Sequence, residues 1–407
     1  MKNFDVIVVG GGAAGMMAAG RAAQRGKHVL LLEKNTNLGE KLKITGGGRC
    51  NITNAELNEH LLLKNYGNAA SFLYSPFSQF GVQSTFDFFH AKGLSLVVQG
   101  GKRAFPRTEY APDVVRVLER YLNDTGVIVK TDAHVSSIAL EGKMIKSVTA
   151  NNTVYETNAV ILATGGTSHP ETGSTGDGFK WLRELGHTVH IPTPTIVPMG
   201  VAEKQIHTLA GVSVPGAKIT FFLNEKKQFS RKGDLLFTHF GLSGPVILNS
   251  SGKVGDLLHA GQVTAAIDFF PTRNERMVED EIIALFNENK NKILKNIIKH
   301  LVPQQLFVCM NNVDGEKKVH SVTKEERKIM IRTFKALPVT ITKLMGLDRA
   351  VVVDGGVDLS EIQNKTMRST LLENLFIVGD LLHINRPSGG YSLQLCWTTG
   401  FVAGNSV

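Results

Sequence analysis

Three cysteines in 407 residues, Cys50, Cys309 and Cys396, are too few and too scattered for a disulfide framework or a zinc site. They form no C-x-x-C pair, which excludes the dithiol chemistry of disulfide reductases. No apolar run reaches the roughly 18 residues that a membrane-spanning helix needs. No internal repeat is evident. Hydrophobic residues make up 42% and charged residues 20%, the proportions of a globular protein rather than a disordered one. Lys2 and the apolar stretch behind it imitate a secretion signal, but Asp5 and the glycine loop that follows argue against cleavage. The expected location is cytoplasmic. Acidic residues are in deficit, 36 against 45 Lys and Arg, for a net charge of +9. That permits polyanion binding. The visible clusters, Lys290 to Lys299 and Lys324 to Lys328, lie among apolar residues at helical spacing such as Leu294, Ile297 and Ile298. They read as solvated faces of packed helices, and nucleic acid is not the expected partner.

What is present begins at once. Phe4 to Val9 is an apolar, β-branched run, followed by Gly10-Gly11-Gly12-Ala13-Ala14-Gly15, an Ala- and Met-rich helical stretch, and a second apolar run, His28 to Leu32, ending on Glu33. This is a dinucleotide-binding βαβ unit in full context. Gly10 permits the tight turn, Gly12 lets a pyrophosphate approach, and Gly15 lets the helix pack on the strand. The helix N-terminus offers N–H groups to the phosphates. Glu33 stands 18 residues after Gly15, where a carboxylate meets ribose hydroxyls and favours FAD or NAD over NADP.

Further along, Leu38 to Asn54 is glycine-rich and carries Lys41, Lys43 and Arg49, a combination suited to a bound anion. Asn68 to Lys92 reads as helix, Pro112 to Asn123 as amphipathic helix, and Val127 to Lys130 as a short strand. Val135 to Thr157 reads as an antiparallel meander turning at Glu141-Gly142 and Asn151-Asn152. A buried strand, Ala159 to Ala163, runs into Thr164-Gly165-Gly166, and a helix follows over Phe179 to Gly186. Composition shifts at Ile191-Pro192-Thr193-Pro194. The expected organisation is an α/β, Rossmann-like domain in two segments, 1–190 and 346–407. Between them lies an inserted mixed substrate or cap domain, 191–345, its β part about 191–270 and its helical part about 271–345. Strands are expected at Ala350 to Val353 and at Leu375 to Val378, the latter leading to Gly379-Asp380, and the closing helix spans Gly390 to Asn405.

The motifs VVGGGAAG (Val8–Gly15), KLKITGGGRCNITN (Lys41–Asn54), ATGG (Ala163–Gly166), LLFTHFGLSGP (Leu235–Pro245), DGGV (Asp354–Val357) and GDLLHINRPSGGYSLQ (Gly379–Gln394) together resemble the HI0933-like bacterial flavoproteins, in family order and over essentially the whole chain. The resemblance implies that the domain of segments 1–190 and 346–407 is an FAD-binding domain of the glutathione-reductase type, with FAD contacts at Gly10, Gly12, Gly15, Glu33, Lys41, Arg49, Cys50, Asn51, Gly165, Asp380 and Gly389 to Leu393, that is Gly389, Gly390, Tyr391, Ser392 and Leu393. The flanking positions Ala13, Ala14, Lys34, Gly48, Val135, Ala163, Thr164, Gly166 and Gly379 complete the expected cofactor set. Members of the family are similar to reductases of steroid-type enones and to oxidases of aminoacetone. Two positions depart from the family pattern: Asp380 stands where a Glu is usual, and Ser392 where Asn is frequent.

Individual residues keep two readings. Arg49 binds flavin phosphates or fixes its loop. Cys50 contacts the flavin or is a small, snug core residue. His239 is a proton donor or a turn histidine; Tyr391 is a donor or a pocket wall. Arg386 attracts a substrate carboxylate or makes a surface salt bridge. No second glycine fingerprint follows a strand, so NADH or NADPH is expected only as a transient reductant. The sequence thus predicts an FAD-dependent oxidoreductase of a small molecule. NAD(P)H-linked enone reduction is preferred over an oxygen-using amine oxidase, a tRNA-associated flavoprotein or a non-catalytic flavin sensor. No metal is expected.

Overall fold

Four parallel strands end side by side, and the loops leaving them gather at one edge of a sheet. The strand Lys2–Val9 pairs with Val29–Leu32 on one side and Thr153–Leu162 on the other, so that Val9 stands opposite both Leu32 and Leu162. Leu375–Ile377 adds to Thr153–Leu162 with Ile377 opposite Leu162. The computed structural model describes residues 2–346, 350 and 352–407. Ile128–Lys130 extends the parallel set beyond Val29–Leu32, and Arg368–Ser369 and Ile362–Gln363 add antiparallel strands at the other edge. The central strands are continuous apolar runs because both faces are covered; Val6, Ile7, Val8, Leu30, Leu31, Val160 and Ile161 are all buried.

Val135–Glu141 and Met144–Ala150 form a hairpin that continues into Thr153–Leu162. Asn151 and Asn152 both have left-handed φ, +46° and +61°, as a two-residue hairpin turn requires. The sequence suggests a meander ending at Thr157 and a separate strand from Ala159. The structure has one strand of 10 residues that changes neighbours, Met144–Ala150 beside its first part and Leu375–Ile377 beside its second. The helix expected over Asn68 to Lys92 is likewise two, Ala70–Gln79 and Val82–Ala91, broken at Phe80-Gly81.

The closing helix, Tyr391–Ser406, packs along the first helix, Ala13–Gln24. A Cβ at Gly400 would lie 2.4 Å from the Ala14 carbonyl oxygen, and one at Gly404 2.3 Å from that of Ala18. Small residues at those two positions are what let the helices touch.

Backbone contacts divide the chain into Met1–Pro194 with Ala350–Val407, and Thr195–Arg349. The strand expected from Ala350 runs Val352–Val357 and pairs with Val189–Thr195; Val351 lies outside the described residues. The second unit is built on a closed six-stranded barrel in the order Met199–Val201, Gly241–Ser243, Lys226–Thr238, Ser213–Leu223, Val263–Asp268 and Leu337–Leu344. Two expectations change here. The early, strand-rich part also holds the helix Ser251–Ala260, and the helical part stops at Ala336. Leu337–Leu344 is the strand that closes the barrel, because its Leu337, Val339 and Ile341 alternate inward with exposed or half-buried neighbours. Lys324 to Lys328 does lie on a helix, Lys324–Ala336, with buried Met330 and Phe334, whereas of the cluster Lys290 to Lys299 only Lys295 falls within one, the five-residue Leu294–Ile298; Lys290, Lys292 and Lys299 stand in the turns and bends around it.

Candidate functional site

The glycines of the turn after Val9 have different surroundings. Gly10 has φ +106°, and a Cβ there would strike the Ala163 carbonyl at 2.5 Å. A Cβ at Gly15 would lie 1.8 Å from the Gly10 oxygen, so the helix seats directly on the turn. At Gly12, by contrast, nothing lies within 4 Å of the added carbon. Gly12 caps Ala13–Gln24 without a side chain, and no acid stands in the helix's first turn. The helix N-terminus is therefore open and electropositive. Ala13 is half-buried and Ala14 buried.

Glu33 leaves the neighbouring strand only 7% exposed. Its carboxylate accepts from the Gly11 N–H at 2.6 Å and from the Asn35 N–H at 2.8 Å, which fixes it beside the glycine turn. Lys34 turns away to Thr175 (2.5 Å) and Asp177 (2.8 Å). Burial raises the Asp177 carboxyl, but Lys34 and Thr175 outweigh it and hold it below its usual range. Val135 opens its strand, half-buried and opposite Ala150.

In the segment from Lys41 to Asn54, three consecutive glycines, Gly46, Gly47 and Gly48, take left-handed φ of +62°, +68° and +81°. Gly47 and Gly48 border open space. Lys41 donates to Ser168 at 2.5 Å and stands 3.5 Å from Asp380. Arg49 lies over the Phe105 ring at 4.4 Å, with Gln99 at 3.4 Å and Glu109 at 3.7 Å, so its side chain braces the loop. Cys50 is fully buried and burial pushes its thiol far up, which is the behaviour of a packed, inert cysteine. The Asn51 amide accepts from the Gly390 N–H at 2.9 Å and donates to Thr53 (3.1 Å) and Ala104 (3.3 Å).

Across the sheet edge, Ala163 donates to the Val9 carbonyl at 2.9 Å, and Gly165 turns the chain with φ +73°. A Cβ at Gly166 would meet Asp380 at 3.6 Å. The buried hydroxyls of Thr164 and Thr167 have no partner, as expected of groups lining a ligand site. Gly379 donates to Thr399 at 3.0 Å. The turn Gly389-Gly390 docks on Thr53–Asn54: a Cβ at Gly390 would lie 2.3 Å from the Thr53 carbonyl carbon, and Asn54 donates to the Gly389 carbonyl at 3.1 Å. Tyr391 starts the closing helix edge-on to Tyr66, whose hydroxyl donates to the Tyr391 carbonyl at 2.9 Å. Leu393 is buried beside it.

Three residues outside the expected set organise this end. Arg386 is no surface residue: it is 3% exposed, bonded to Ser392, Ile384 and Asp380. Gln394 accepts from Thr53 at 2.6 Å and Thr85 at 3.0 Å inside the apolar closing helix. Trp397 donates to the Ile52 carbonyl at 3.0 Å. A buried glutamine can be suspected from its apolar neighbours, whereas nothing local marks Arg386 as internal. His239, in the second unit, stands exposed on the two-residue turn between Thr238 and Gly241, its ring 4.9 Å from that of Phe240.

An open glycine at a helix N-terminus, a carboxylate fixed at the next strand end, unpartnered threonines and a second helix N-terminus at Tyr391 fit a dinucleotide. The fold is that of a Rossmann-type FAD-binding oxidoreductase. The chain belongs to the HI0933-like family: residues 4–406 match the model of its Rossmann domain. It is 29% identical to the 3-dehydro-bile acid delta(4,6)-reductase of Clostridium scindens, over 98% of each chain. It is 28% identical to the ribosomal RNA dihydrouridine synthase of Haemophilus influenzae, again over 98% of each. Among solved structures, 3-ketosteroid delta1-dehydrogenase from Sterolibacterium denitrificans superposes with a TM-score of 0.56 at 14% identity, over 100% of this chain and 99% of that one.

Proposed function

We propose that this protein reduces a carbon–carbon double bond conjugated to a carbonyl, using NADH or NADPH as a transient reductant. One observation carries the reading. Two relatives matched over 98% of the chain are named for different substrates, yet both names describe saturation of such a bond, in a steroid enone and in a uracil ring. FAD, when bound, supplies the hydride chemistry.

The chain's residues have assignable parts. The amides at Gly12, Ala13 and Ala14 receive the pyrophosphate and Glu33 the ribose hydroxyls. Lys41, Asp380 and the loops Gly46–Asn51 and Ala163–Gly166 enclose the remainder. The helix N-terminus at Gly390 to Leu393 favours negative charge developing on a reduced ring. Saturating the bond also needs a proton at the carbon beside the carbonyl. Tyr391 is the donor we assign; burial, and then the Glu56 carboxylate, hold its phenol above the ordinary value, so it stays protonated at neutral pH.

The test is anaerobic mixing of the purified flavoprotein with NADH or NADPH, followed by a steroid 4-en-3-one. Bleaching by the nicotinamide and recolouring by the enone support the reading. Bleaching only by small amines such as aminoacetone overturns it. A base within RNA is the second candidate substrate, favoured by the distribution of charge. The unit Thr195–Arg349 holds 22 Lys and Arg against 15 Asp and Glu, which is +7 of the chain's +9.

A further inference from the structure

The longest hairpin of the second unit, Ser213–Leu223 with Lys226–Thr238, carries Lys218, Lys226, Lys227, Arg231 and Lys232 against only Glu225 and Asp234. Lys218 and Lys232 stand directly opposite each other on the ladder, and both are exposed. Like charges so placed destabilise a strand pair. The neighbouring strand does not relieve them. Asp268 stands opposite Lys218 on the other side, but its carboxylate accepts from Lys335 at 2.8 Å. Among the described residues, other carboxylates of the unit pair with Arg273, Lys295, Lys317 and Lys328. Two residues along the same face the hydroxyls of Thr220 and Ser230 meet at 2.9 Å, and next Phe222 stands opposite the exposed Lys227. The face is thus a ribbon of cations and hydroxyls, with Lys218 and Lys232 side by side and Lys227 beyond them.

We propose that this face of the hairpin binds the phosphate backbone of an RNA substrate, an inference that rests on the RNA form of the reading above. Spaced lysines with hydroxyl groups between them suit phosphate and sugar contacts, which position a nucleic acid without reading its sequence. A lipid surface fits less well, because a membrane-binding face pairs its cations with protruding apolar side chains. The large apolar residues exposed in this unit, Met277, Ile293 and Val308, lie outside the hairpin.

The experiment is filter binding of the full flavoprotein to purified ribosomal RNA across a salt series, with phosphatidylglycerol vesicles as a second probe. In the Lys218→Gln/Lys227→Gln/Lys232→Gln variant the slope of log affinity against log salt should become shallower by about 2, since each lost phosphate contact removes roughly 0.7. The triple Lys→Arg variant should restore it. Flavin content and the unfolding midpoint of both variants should equal those of the parent, which separates lost contacts from lost fold. The proposal is overturned if the Gln variant keeps the parental slope, if the parent retains no RNA at low salt, or if vesicles bind with the same lysine dependence while RNA does not. Enone turnover is read in parallel. Its absence alongside lysine-dependent RNA binding counts against a steroid enone as the substrate and leaves the surface standing, and intact turnover with an unchanged slope counts against the surface.

Discussion

Arg386 donates from Nε to the Ser392 hydroxyl at 3.0 Å and turns its far edge onto the Asp380 carboxylate. The two positions where this chain departs from the family pattern are therefore joined by one buried guanidinium. A third donor bond, to the Ile384 carbonyl at 2.7 Å, holds the group in place. Burial raises the Asp380 carboxyl, but Arg386 first and Lys41 second more than offset this and keep it below the ordinary carboxylate range.

Removing Arg386 leaves that carboxylate without its main counter-charge and empties an internal site. Arg386→Leu should cost about 3 kcal/mol, the scale for breaking a buried pair from one side. Chemical denaturation of the flavin-loaded protein measures it. A loss below 0.5 kcal/mol would show that the pair does not support the turn before the closing helix.

Gly12 and Gly15 should fail in different ways. Gly15→Ala places a carbon 1.8 Å from the Gly10 oxygen, so the fold itself should lose about 2 kcal/mol or more. A Cβ at Gly12 meets no protein atom within 4 Å, so Gly12→Val should unfold near the parental midpoint when flavin-free. It should nonetheless purify colourless, because the side chain fills the approach to the helix N-terminus. Circular dichroism melting and flavin absorbance separate the two outcomes.

Glu33→Gln keeps one acceptor and loses the charge. A hydrogen bond to a charged group contributes about 1.5–3 kcal/mol, so FAD affinity should fall roughly tenfold to a hundredfold. Titration of the flavin-free protein by flavin fluorescence quenching reads this directly, and unchanged affinity would remove Glu33 from the ribose contact.

His187 gives a pH dependence. It is 4% exposed, bonded through Nε2 to Ser369 at 2.8 Å, with Nδ1 unpartnered. Burial lowers its pKa from the ordinary 6.5. Below that value the unfolded chain takes up a proton that the folded chain refuses. Stability present above about pH 6.5 should thus be lost as the pH falls toward the depressed folded value. His187→Gln should flatten the curve of denaturation midpoint against pH in that window and leave the rest unchanged.

Tyr391→Phe should slow the second half-reaction, reduction of the double bond, by about 10²–10⁴ while flavin reduction by NAD(P)H keeps its rate. His239→Ala should alter neither. Stopped-flow traces of the two half-reactions decide between these residues, and the opposite pattern would transfer the role to His239.

The sequence by itself determined whatever is local. The glycine turn, the helix it caps and the acid at the next strand end lie within residues 4–33, and short-range sterics specify them. The closing helix, a run of small and apolar residues, is legible for the same reason. What only the tertiary structure decided involves partners distant in the chain. Lys41 reaches Asp380 from 339 positions away, and Gln394 reaches Thr53 from 341. The barrel closes by pairing Met199–Val201 with Leu337–Leu344, which no local pattern announces. Arg386 reads as a substrate anchor or a surface salt bridge because its burial depends on the carboxylate brought beneath it. The basic hairpin went unseen because Lys218 and Lys232, 14 positions apart, become neighbours only in register. Charge clustering along a chain finds helical faces, whereas cross-strand clustering exists only once the ladder has formed.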